Sequence, residues 1–113
     1  MTSYKKWDII LVPFPFANLK TTKQRPALVV SPDQYNQGMD LVIAFITSKM
    51  DLPYRQGDFP IEQWSESGLP KPSMLRMKFA TLDRAIVIKK IGSLSQRDQR
   101  EFLKALLGFF GKG

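Results

Sequence analysis

The stretch Lys23-Gln24-Arg25-Pro26-Ala27-Leu28-Val29-Val30-Ser31 sets an arginine at the entrance to an apolar run. Pro26 fixes its own φ at a value that a strand edge tolerates and pushes Arg25 toward extended backbone, so the guanidinium stands on a stiff mount. Pro26 to Ser31 predicts a strand, and Leu41 to Ser48 predicts the next, ending in the hydroxyl pair Thr47-Ser48. Between them Pro32 to Gly38 is rich in turn residues. Both strands are apolar enough to be central in a sheet, and their ends can meet at one phosphate-sized site.

On the N-terminal side, Trp7 to Val12 reads as a first strand, interrupted only by Asp8 and closed by Pro13. Phe14 to Gln24 follows as a long loop with no helical periodicity, the kind that covers a site in small barrels. On the C-terminal side, Met50 to Pro72 holds four prolines and an acidic bias, which predicts short edge strands joined by loops. Ser73 to Leu82 and Ile86 to Ile91 predict a later strand pair, with Asp83-Arg84-Ala85 as the turn between them. The tail predicts a helix: Ser95 and Asp98 form a capping-box-like start, and Phe102, Leu103, Leu106, Leu107 and Phe110 recur at helical spacing. Gly108 and Gly111 mark where that helix frays. Five to seven short strands and one terminal amphipathic helix define a mainly β fold, a small SH3-like or OB-like barrel plugged by a helix.

A chain of 113 residues predicts a single domain over 1–113, and 43% hydrophobic residues with eight phenylalanines place it among globular proteins. Cysteine and histidine are both absent, which removes disulfides, thiol nucleophiles, thiolate or imidazole metal ligands and the commonest general base. No cofactor or metal is expected, and any chemistry falls to Arg, Lys, Asp, Glu, Tyr, Ser or Thr. Seventeen Lys and Arg against ten Asp and Glu leave a net charge of +7, which points to a polyanionic partner. The charge is uneven: Asp51 to Ser67 is acidic, and Gly68 to Arg100 is strongly basic. Pro13 and Pro15 break the first apolar run as a signal peptide, and no run approaches the roughly 20 apolar residues of a membrane span. The expectation is a soluble cytoplasmic protein with no membrane contact.

In order and spacing, several segments together resemble the MazF/PemK toxin family of type II toxin–antitoxin systems. They are Trp7-Asp8-Ile9-Ile10-Leu11-Val12-Pro13-Phe14-Pro15-Phe16, the Lys23–Ser31 stretch, Ile46-Thr47-Ser48, Gly68-Leu69-Pro70-Lys71-Pro72-Ser73, Thr81-Leu82-Asp83 and Ile91-Gly92-Ser93-Leu94-Ser95. The resemblance implies an SH3-like β-barrel, a homodimer, a ribonuclease that cuts single-stranded RNA without metal, and an antitoxin whose acidic tail occupies the RNA groove. The chain departs from the pattern twice. Members usually carry glycine where this chain has Trp7, and some carry an aspartate in the strand before Thr-Leu-Asp, whereas nothing acidic lies between Ser73 and Asp83.

Metal-free RNA cleavage uses the 2′-hydroxyl as internal nucleophile, so the protein need only help its deprotonation, neutralise the phosphorane and protonate the leaving 5′-oxygen. Arg25 suits the charge term through bidentate hydrogen bonds to phosphate. The resemblance also implies acid–base duty for Arg25, although a guanidinium parts with its proton reluctantly. Thr47 is the second catalytic candidate, a hydroxyl donor to the scissile phosphate that is equally able to satisfy backbone at a strand end. Ser48 ranks below it because adjacent strand residues face opposite sides. Lys23, Ser48, Arg76, Lys78 and Phe16 are the candidates for binding RNA, Arg76 and Lys78 as phosphate trackers on one strand face and Phe16 as a stacking surface. Two alternatives stay open: a non-catalytic barrel that binds RNA or an acidic peptide, and a toxin that blocks DNA gyrase.

Overall fold

The computed structural model describes residues 3–14 and 23–111, so Phe16 lies outside the described residues. Strands β1 (Asp8–Pro13), β2 (Gln24–Val29), β3 (Asp40–Thr47), β4 (Phe59–Pro60), β5 (Met74–Asp83) and β6 (Lys89–Ser93) form one sheet. A one-turn helix α1 (Asp33–Asn36) joins β2 to β3, and helix α2 (Gln96–Phe110) follows β6. The strand order is β4-β5-β3-β2-β1-β6 with every pairing antiparallel, a curled, partly open barrel of the mainly β class with a C-terminal helix.

The two apolar runs are indeed the centre of the sheet, and they are apolar throughout because both faces are covered. On one face Ile9, Leu28, Ala44, Ile46 and Leu75 pack with Phe102 of α2. On the other, Ile10, Val12, Ala27, Val29, Leu41 and Ile43 pack with Tyr4 and Leu82. The β2–β3 connection is tied by a buried network. Ser31 Oγ donates to Asn36 Oδ1 and accepts from the Val42 N–H at 3.0 Å, while Asn36 Nδ2 donates to the Ser31 carbonyl at 3.0 Å.

The later strands differ from expectation. Ser73–Leu82 and Ile86–Ile91 do not form a hairpin. After β5 the chain enters a 3-10 turn (Arg84–Ile86), where Asp83 Oδ1 accepts from the Ala85 N–H at 2.8 Å. The Ile88 N–H then donates to the Leu11 carbonyl at 2.8 Å, delivering β6 to the far edge of the sheet against β1. A buried carboxylate helps hold it there: Asp8 accepts from Ser93 Oγ at 3.1 Å and pairs with Lys90 Nζ at 3.1 Å. In the proline-rich middle only the two-residue β4 is a strand.

Helix α2 starts as its sequence predicts, with Ser95 Oγ accepting from the Asp98 N–H at 3.2 Å, and it runs through Gly108 to Phe110. Asp98 is fully buried and its carboxylate serves two elements at once. It takes Arg97 Nη1 at 2.6 Å and the backbone N–H groups of Glu62 and Gln63 at 3.2 and 2.8 Å, so the helix start is bolted to the loop that leads into β5. A second lock lies further along that loop, where Gly68 (φ +89°) meets Gly92; a Cβ on Gly92 would overlap the Ser67 carbonyl. Among the described residues, no helix is long and apolar enough to cross a membrane.

Trp7 occupies the left-handed region at φ +77°, which explains why glycine suits that place. Its N–H donates to the Val29 carbonyl at 2.7 Å, its carbonyl accepts from Leu94 at 2.9 Å, and its ring packs edge-on against Phe102 at 6.3 Å. Tryptophan thus accepts backbone strain in return for packing. Two stability measurements check this fold. Trp7→Gly should be more stable than Trp7→Ala by about 1 kcal/mol, because both lose the ring and only glycine is at ease at positive φ. Asp98→Ala should lower urea-unfolding stability by about 3 kcal/mol, since it removes a fully buried carboxylate that the Glu62 and Gln63 N–H groups, Ser95 and Arg97 all meet.

Candidate anion-binding cleft

The antiparallel register builds the site. Ala27 lies opposite Phe45 and Leu28 opposite Ala44, so continuing the ladder by two residues sets Arg25 opposite Thr47 with both side chains on the same face. Arg25 belongs to the end of β2 where Val12 of β1 is its partner on the other side. Its guanidinium makes no hydrogen bond or ion pair with any described residue. Thr47 Oγ1 accepts from the Lys49 N–H at 3.1 Å, a turn that fixes the oxygen and leaves the hydroxyl proton for a guest. The backbone-satisfying role and the donor role are therefore compatible.

Arg25 and Thr47 form a ridge between two cavities. The larger, about 370 Å³, is lined by Gln24, Arg25, Thr47, Ser48, Lys49, Lys71 and Ser73 together with apolar Leu11, Pro26, Ile46, Pro70 and Ile91. Among the described residues three cations and no carboxylate meet there. Lys71 is carried on a stiff bend: prolines flank it, and its carbonyl accepts from the buried Ser73 Oγ at 2.9 Å. The smaller cavity, about 150 Å³, shares Arg25, Pro26, Ile46 and Thr47 and is otherwise walled by Val12, Phe14, Ala27, Ile43 and Phe45.

Of the residues singled out from sequence, Arg25, Thr47 and Ser48 come together at this cleft. Lys23 is exposed just before β2, with its carbonyl accepting from the Phe14 N–H at 3.1 Å. Lys78 adjoins the small cavity through Phe45, its Nζ lying 5.1 Å from the ring centre. Arg76 lines neither cavity. A bulge leaves Arg76, Met77 and Lys78 opposite Phe45 alone, and the Arg76 guanidinium turns to the buried Asp58 carboxylate at 3.7 Å. Arg76 and Lys78 thus do not act as one pair. The sequence reading missed Lys49, Lys71 and Phe45. Lys71 stood inside a motif already singled out, Pro70-Lys71-Pro72, and its proline mount was the available signal.

A family model described as PemK-like, MazF-like toxin of type II toxin–antitoxin system matches residues 5–110. Among solved structures, the chain is similar to an endoribonuclease in complex with its cognate antitoxin from mycobacterial species, at 14% identity and TM-score 0.77, over 100% of this chain and 98% of that one. It is similar to the MazF of a MazE–MazF crystal structure from Deinococcus radiodurans, at 17% identity and TM-score 0.76, over 100% of both chains. It is also similar to the Mycobacterium tuberculosis toxin MazF-mt6, at 18% identity and TM-score 0.72, over 94% of this chain and 98% of that one. These likenesses are of fold. Comparison with curated proteins gives no sequence match.

The cleft's charge is measurable without a known ligand. Lys71→Ala should reduce the slope of log affinity against log salt for a single-stranded polyanion by about 0.7, the share of one phosphate contact. Unfolding stability should move by no more than about 0.5 kcal/mol, as expected for an exposed side chain.

Proposed function

This chain belongs to the PemK-like, MazF-like toxin family of type II toxin–antitoxin systems, and we propose that it is an endoribonuclease cutting single-stranded RNA through the substrate's own 2′-hydroxyl. The observation that carries the reading is the Arg25–Thr47 ridge beside a cleft holding Lys49 and Lys71 and no carboxylate. A phosphodiester seated on Arg25 meets a planar fork with no partner to displace among the described residues, and the Thr47 hydroxyl donates beside it. Attack by the 2′-oxygen forms the new O–P bond as the bond to the 5′-oxygen breaks. The products are a 2′,3′-cyclic phosphate and a 5′-hydroxyl. The proton lost by the 2′-oxygen is matched by the one gained at the 5′-oxygen, and Arg25 neutralises the charge that builds on the phosphorane between these events.

The chain has no histidine or cysteine, so the commonest general base and the thiol nucleophile are missing and the reading rests on arginine and hydroxyls. The partner side of the proposal is an acidic antitoxin, supported by the +7 net charge and by the two solved neighbours described as an endoribonuclease in complex with its cognate antitoxin and as MazE–MazF. A homodimer completes it, with the apolar Leu107 and Phe110 of α2, each 61% exposed, as surface available for pairing.

In excess EDTA, purified protein should cut a long single-stranded RNA and leave 2′,3′-cyclic phosphate ends. Arg25→Ala should slow cleavage about 100- to 1000-fold with unfolding unchanged. Thr47→Val should slow it up to about tenfold, the weight of one neutral hydrogen bond. RNA left intact by folded wild type at high concentration sinks the reading.

A further inference from the structure

Lys89 and Lys90 are neighbours on β6, both exposed, and the sheet turns them to opposite faces. Lys90 is committed within the fold, its Nζ paired with the buried Asp8 carboxylate at 3.1 Å. Lys89 has no side-chain partner among the described residues. We propose that Lys89 is a further phosphate contact for single-stranded RNA, at the point where a strand bound in the Arg25–Thr47 cleft leaves the sheet across its β6 edge. This rests on the reading of the protein as one that acts on single-stranded RNA.

The placement follows from register. Leu11 pairs with Pro26 on one side and with Lys89 on the other. One step beyond the Ala27–Phe45 pair, the ladder sets Pro26 opposite Ile46. Ile46, Pro26, Leu11 and Lys89 therefore form one row across β3, β2, β1 and β6, with their side chains on the same face. The first three of them floor the larger cavity. Lys89 takes the next place in the row, about 5 Å beyond Leu11 by the spacing of strands, and β6 is the last strand of the sheet on that side.

A bulge decides which of the two lysines takes that place. Ile9 pairs with Gly92 but Ile10 pairs with Lys90, so Ile91 is an extra residue on β6. Without it the ladder would set Lys90 opposite Leu11 and turn Ile91 to the face of Asp8. With it, Ile91 joins the cleft lining, Lys90 reaches Asp8, and Lys89 stands beyond the cleft floor. One irregularity thus neutralises a buried carboxylate and leaves a cation for a guest.

On the β1–β6 side the cleft lining is apolar, Leu11 and Ile91, and its three cations Arg25, Lys49 and Lys71 come from other elements. A strand with one phosphate on Arg25 can lay its sugar and base over that apolar floor and bring a later phosphate to the edge. An ammonium on a long flexible stem meets it there without demanding a fixed geometry. An edge lysine also discourages pairing with another sheet, and the two roles separate by measurement.

The test uses the full chain and fluorescent 2′-O-methyl RNA, which carries no nucleophile, as a trimer and as a nonamer, with affinity read by anisotropy across a salt series. Lys89→Ala should lower the slope of log affinity against log salt on the nonamer by about 0.7, the share of one phosphate contact. It should leave the slope unchanged on the trimer, whose few phosphates the cleft's own cations satisfy. Lys89→Arg should keep the wild-type slope. Lys104→Ala, which removes the same charge from the exposed side of α2, should leave both probes unaltered. An unchanged nonamer slope, a loss that Lys104→Ala reproduces, an equal loss on the trimer, or binding of neither RNA overturns the contact. So does a Lys89→Ala protein changed only in self-association, which marks the lysine as a guard of the sheet edge. Failure of the ribonuclease reading shows instead as uncut natural RNA, and the salt series needs no cleavage to be read.

Discussion

The register between β2 and β3 is the constraint on which the site depends. Leu28, Val29, Ile43 and Ala44 are all 0% exposed, and successive residues enter opposite cores, so slipping the pairing by one residue would exchange both cores at once. The buried Ser31–Asn36–Val42 network fixes the same register from the connecting end, because its hydrogen bonds exist at one alignment only. Two residues beyond the locked pairs, the ladder has no freedom left. Arg25 and Thr47 face one side because the core does not allow them to face the other.

The cationic wall of the cleft depends on a different chain of contacts, one that begins at the helix. Ser95 caps α2 on the Asp98 N–H, the Asp98 carboxylate holds the Glu62 and Gln63 backbone, and the Gly68–Gly92 approach seats the same loop against β6. Lys71 follows within a few residues of that contact, between two prolines. A charge fully out of water is costly, but the Asp98 carboxylate is met by an arginine, a hydroxyl and two backbone donors, the arrangement in which a buried carboxylate holds elements together. Helix cap and cleft wall are thus parts of one structural unit.

The central strands and the helix were legible in the sequence for physical reasons. Strands covered on both faces read as continuous apolar runs, and Ser95 with Asp98 announces a helix start by local chemistry. The edges were less legible because their partners are remote. Nothing between Ser73 and Ile91 says that β6 passes its neighbour and joins β1; that choice is made by Asp8 and Leu11, far upstream. Likewise Arg76 and Lys78 look equivalent on a strand face, and only the fold brings Asp58 to one and Phe45 to the other. The strained backbone at Trp7 had a trace in sequence, the departure from glycine, whose meaning needed the φ angle.

The contrast between Arg25 and Arg76 shows why charge count is a poor guide to an anion site. Arg76 has a buried partner carboxylate, so a phosphate arriving there would compete with Asp58 and leave that carboxylate with the Arg55 N–H but without its cation. Arg25 has no such competitor among the described residues, and the two cavities that it borders contain no acidic side chain. Its Pro26-stiffened strand end has fixed its backbone before any ligand arrives. The ordering cost falls on the folding of the sheet rather than on binding, which is the condition under which one arginine fork stabilises a transient phosphorane more than its ground state.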